Sequence, residues 1–182
     1  MKQEPNKIID QLAVSEARSI LKALAASDEG LAGRIAEMAM SSLNQVDVEE
    51  IAAVLYNELD ALEVEEVWDR AGRTRYGYVE PGEAADQMIE EVLEPFLEEL
   101  GKYQKLSMGA EANRVCMGLL LGLYTFDSES TTEFKNWAGD APGIFAETVV
   151  DAWKEGRPSR EAVRAIRLFV EDELFRWSSS LV

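Results

Sequence analysis

The 182 residues suffice for one domain with a full core, 47% of them are apolar, and 35 acidic side chains against 18 basic ones leave a formal net charge of −17. That balance argues against nucleic acid, whose affinity comes mostly from neutralised phosphates, and against anionic membrane surfaces. With no histidine and one cysteine, Cys116, the chain lacks the residues for Ser-His-Asp or Cys-His catalysis, for an all-thiolate or His-containing zinc site and for an intrachain disulfide.

The periodicity is helical almost throughout, and the predicted fold class is all-α, an irregular orthogonal bundle or stacked helical hairpins over residues 1–182 as a single domain. Residues 6–26 predict a short helix and a second one from near Ser15. Residues 28–43 predict another, with Leu31, Ile35, Met38 and Ala39 on one face. Asp47 and Glu50 have capping-box spacing, followed by the stripe Val48, Ile51, Leu55, Leu59 and Leu62. A short helix over 63–71 should stop at Gly72 and lead into a loop running to Val79.

Pro81 suits the first turn of a long helix with one apolar and one glutamate-rich side, and Pro95 should kink it. Residues 110–126 are apolar nearly all round and predict a central helix, on which Gly118 and Gly122 would admit a neighbouring backbone. Ser130 and Glu133 read as a capping box before Phe134 and Trp137. Asp140 and Pro142 open a helix that ends at Gly156, and Pro158 and Ser159 open a last one reaching Leu174 and Trp177. Trp137, Trp153 and Trp177 fall at helical spacing with apolar neighbours, as core residues would.

Charge is concentrated in one third of the chain. Residues 47–100 hold 17 Asp and Glu against Arg70, Arg73 and Arg75, which is −14 of the −17. All three arginines lie in the run WDRAGRTRYGYVEPG with Trp68, Tyr76 and Tyr78. Arginine with tyrosine and tryptophan is the composition enriched at binding hot spots. The candidate partner-binding set is therefore Arg70, Arg73, Arg75, Tyr76 and Tyr78; the competing reading pairs the arginines internally with Glu65, Glu66, Asp69 or the long helix.

The runs WDRAGRTRYGYVEP and GLLLGLYTF, within residues 47–155, resemble a group of uncharacterised prokaryotic all-helical proteins, some of them associated with SWIM-type zinc-finger proteins. The resemblance implies an all-helical fold and brings no reaction. It brings no zinc site either, because the Cys-x-Cys and Cys-x-His ligands of that finger are absent here.

Three functions compete. The first is a non-enzymatic cytoplasmic interaction or adaptor protein with an unknown protein partner, one of basic character suiting the net charge, and with room for a homo-oligomer. It needs no cofactor. The second is a Mg²⁺-dependent nucleotide pyrophosphohydrolase of the MazG type, for which Glu63, Glu66, Glu83 and Asp86 have the formal spacing. In a chain this acidic, such a quartet arises readily by chance. The third is an accessory protein whose acidic helix mimics a polyanion. The N-terminus lacks the apolar core of a signal peptide, and no apolar run reaches the ~20 residues of a membrane span, so the expected location is the cytoplasm.

Overall fold

Asp28 ends one helix and begins the next. Its extended backbone stops α2 (Val14–Ser27), and its carboxylate accepts from the Leu31 amide at 2.7 Å to cap α3 (Glu29–Leu43). A short α1 (Pro5–Ile9) precedes this hairpin. The structure is a computed structural model describing residues 5–75 and 77–181. It is all-α, with one two-stranded sheet among the described residues. The sequence reading takes a single domain; the contacts divide the chain into two compact units, one ending at Gln45 and the other beginning at Val46.

In the first unit α2 and α3 pack on each other, yet no described residue of either helix is buried. On the face of Leu31, Ile35, Met38 and Ala39, Ile35 is half-buried and the other three are exposed, Met38 by 71%. Two helices alone have too few neighbours to cover an apolar face.

The second unit is built around α7 (Gly109–Glu129), which packs against α4 (Val48–Asp60), α6 (Pro81–Lys105), α9 (Ala141–Glu155) and α10 (Arg160–Glu173). Val115, Cys116, Leu119, Leu120, Leu123 and Phe126 on α7 are all buried, as expected of a helix apolar all round. α4 is capped by Asp47, whose carboxylate accepts from the Glu50 amide at 2.9 Å. It then lays Ala52, Leu55 and Leu59 into the core. The close approach of α4 falls at the two predicted glycines. A Cβ on Gly118 would stand 2.7 Å from Ile51 Cβ, and one on Gly122 3.0 Å from the Ala52 carbonyl.

α6 runs through Pro95, which lies on its exposed side, to Lys105. Several local expectations are corrected. Ser130 and Glu133 form no capping box. Ser130 is the C-cap of α7, and its hydroxyl donates to Asp60 Oδ1 at 2.7 Å, tying the ends of α4 and α7 together. The short α8 (Lys135–Ala138) follows Phe134 instead. The last predicted helix ends at Glu173; Leu174 leaves helical geometry and a further turn, α11 (Ser178–Leu181), follows. Trp153 is buried as expected, whereas Trp137 and Trp177 are half-buried.

Cys116 lies inside this core, and burial pushes its thiol pKa up to about 12. In the native protein at pH 8 it is expected to react with a chromogenic disulfide reagent only at the rate at which the unit opens. Addition of urea past the unfolding midpoint should release the full equivalent at once. Immediate native reaction would contradict the position of α7.

Candidate functional site

Val64–Arg70 forms α5, and Ala71 leaves it in extended conformation, one residue before the predicted stop. The expected loop is a β-hairpin: β1 (Gly72–Thr74) pairs antiparallel with β2 (Gly77–Val79). Gly72 and Gly77 take φ of 109° and 145°, values that L side chains avoid, which explains why glycine begins each strand. The register puts Arg73 directly opposite Tyr78, and Arg75 sits in the connecting turn.

The three arginines separate by role. Arg70 closes α5 and its guanidinium donates to Glu91 Oε1 of α6 at 2.8 Å, with Glu66 at 3.8 Å. It staples α5 to the long helix, as the internal reading of this cluster requires. Arg73 and Arg75 are exposed and make no ion pair or side-chain hydrogen bond among the described residues. Tyr78, the cross-strand neighbour of Arg73, is 64% exposed. Tyr76 lies outside the described residues. Trp68, 52% exposed on α5, meets the edge of Trp137 with ring centroids 4.8 Å apart. That contact joins α5 to α8 and holds the base of the hairpin against the unit.

The carboxylate quartet of the metal reading is distributed differently. Glu63 precedes α5, Glu66 faces Arg70, and Glu83 and Asp86 lie one turn apart on α6. Partial desolvation, and then the charge of Glu83, raises the pKa of Asp86. Among the described residues no three Asp, Glu, His or Cys side chains come together to hold a metal ion. The glutamates of α6 instead line an open groove of about 900 Å³ against α9, with Glu90, Glu91, Glu94 and Glu98 facing Glu155.

A second concavity has no counterpart in the sequence reading. The end of α6, the start of α7, the end of α9 and the start of α10 enclose a cleft of about 650 Å³. Gln104 donates from Nε2 to the carbonyls of Ala152 and Trp153 at 2.9 and 3.1 Å, and Trp153 Nε1 donates to Asn113 Oδ1 at 2.8 Å. A Cβ on Gly156 would lie 2.8 Å from Gln104 Cγ, so a side chain there would have to displace the Gln104 amide. The two non-glycine residues with positive φ among those described, Ser107 and Arg157, both line this cleft. Ser159 caps α10 there, and Glu161 is held below the usual carboxylate range by hydrogen bonds from its own backbone and from Ser159. The sequence signal for it is slight: Gly156 and Pro158 mark a turn, but Ser107 and Arg157 do not announce their backbone.

No known protein family, curated protein or solved structure matches the chain. No helix among the described residues is long and apolar enough to cross a membrane.

Proposed function

We propose that the chain is a non-enzymatic protein-interaction module that meets its partner through the Arg73–Tyr78 face of the hairpin. The observation that carries this reading is the contrast among the arginines. Arg70 is neutralised by α6, while Arg73 and Arg75, in a strongly acidic chain, are presented to solvent with an exposed tyrosine alongside. An arginine left outside so many carboxylates is available for charge-assisted, bidentate hydrogen bonds to a partner's carboxylate or phosphate. The acidic groove along α6 extends the surface and suits a partner that also offers basic residues. Solvent-facing glutamates spread along a helix favour steering and association over a metal-held reaction centre.

The test is affinity capture from native lysate with the wild type and with Arg73→Ala/Arg75→Ala, at low and high salt, with mass-spectrometric identification. The double variant should retain its melting temperature, since exposed substitutions of this kind change stability by within about 0.5 kcal/mol. It should lose the specifically captured partner, and high salt should weaken wild-type capture. Equal capture by both proteins would remove the hairpin from the interface. Arg70→Ala, by contrast, should lower stability by about 0.5–1 kcal/mol through loss of the exposed pair with Glu91, as read by urea titration.

A further inference from the structure

We infer that the N-terminal helical hairpin is the self-association element of this protein, and that the apolar face of α2 and α3 is covered by the same face of a second copy. The hairpin has what a folded element needs except cover. Asp28 caps α3, the Ala13 amide at the start of α2 donates to Glu16, and the helices pack on each other, but Val14, Leu21, Leu24, Leu31 and Met38 stay exposed, Val14 by 81%. Between the helices lies an open groove of about 400 Å³ lined by Val14, Ala17, Leu21, Ala25 and Ile35. Fewer than ~40 residues seldom hold a fold without a disulfide, a metal or a partner, and the α2–α3 hairpin, residues 14–43, is shorter than that and has no cysteine. Two αα-hairpins closing face to face give a four-helix bundle, which supplies the missing core.

Charge selects a second copy as the occupant. Residues 1–45 carry 5 Lys and Arg against 6 Asp and Glu, a balance of −1, whereas residues 46–182 carry the remaining −16. The hairpin is therefore the part of the chain where two copies meet with little repulsion. Both signs on one element suit a two-fold interface, since residue i of one copy meets residue j of the other and the reverse. Arg18 and Lys22 edge the groove, and α3 carries Glu29, Arg34 and Glu37. A strongly basic or acidic partner would call for an excess that the hairpin does not have. Helices of 14 and 15 residues are each about 21–22 Å long. Side by side they offer a face on the order of 400 Å² in projection, below the ~800 Å² per partner of a standard interface, which makes the association a concentration-dependent one.

The experiment uses the full chain. Sedimentation equilibrium should give twice 20.3 kDa, with the dimer strengthened by salt as repulsion between the acidic units is screened. Leu21→Glu/Leu24→Glu should yield monomers whose second unit melts unchanged. Hydrogen exchange of the wild type covers the case in which that variant simply unfolds the hairpin. Amides of α2 and α3 should slow about tenfold or more from dilute to concentrated protein, while those of α7 do not change. A monomer at all concentrations would overturn the inference, whether its hairpin amides were protected or not. So would a dimer that survives the glutamate substitutions, or a hairpin protected only by lipid vesicles.

Discussion

Gly118→Val is expected to cost about 3 kcal/mol of stability in the second unit. The new side chain would start 2.7 Å from Ile51 Cβ and 3.0 Å from the Val48 carbonyl oxygen, and neither atom is the free end of a flexible chain. Relief requires α4 to lift from α7, where the two helices make their broadest contact. Overpacking of this kind costs about 1–3 kcal/mol, and β-branched valine stands at the upper end. Gly118→Ala should lose less, because alanine regains ~1 kcal/mol of helix propensity against the same clash. Urea titration should show a lower midpoint with an unchanged slope for both, in the order valine worse than alanine. Stabilisation by Gly118→Ala would mean that α4 does not sit on this face. Against a total stability of ~5–15 kcal/mol, the valine variant should lose roughly a fifth to three fifths of the folding free energy.

That contact shows which parts of the fold are legible in the sequence. Asp47 with the stripe behind it, and Gly118 and Gly122 on an apolar helix, are local patterns whose physical meaning does not depend on the rest of the chain. The capping box read at Ser130 and Glu133 has the right spacing, but the Ser130 hydroxyl bonds to Asp60, 70 residues earlier, and no local pattern carries that competition. The stripe of α3 announces an apolar face and says nothing of what covers it, and Leu31 and Met38 on it are exposed.

The candidate site divides in the same way. The composition of the Trp68–Tyr78 run points to the hairpin, but only the placement of Glu91 separates Arg70 from Arg73 and Arg75. The cleft at Gln104, Asn113 and Trp153 joins four helix ends distant in sequence. Its two positive-φ residues are a serine and an arginine, types that carry no such signal.

Phe126→Ala should have the largest effect of any single truncation proposed here, about 3–5 kcal/mol. Phe126 and Phe134 are both fully buried, with ring centroids 6.5 Å apart, and they join the end of α7 to the segment leading into α8. Around them the turn is tied polar group to polar group. Ser130 bonds Asp60, Lys135 Nζ donates to the carbonyls of Asp127 and Ser130, and Arg176 pairs with Asp127 at 2.8 Å. Such a turn cannot collapse to fill the space left by the ring, so the cavity contribution persists. Phe126→Leu, which keeps most of the volume, should lose under about 1.5 kcal/mol. Differential scanning calorimetry should show a melting temperature lowered by on the order of 10 °C for alanine. The pair also separates stability from binding. If the hairpin binds the partner, Phe126→Ala should still capture it at temperatures where the unit is folded. Arg73→Ala/Arg75→Ala should fail to capture it at full stability. Parallel loss of binding in both would tie recognition to the integrity of the α7–α8 turn and leave the exposed arginines without a separate part in it.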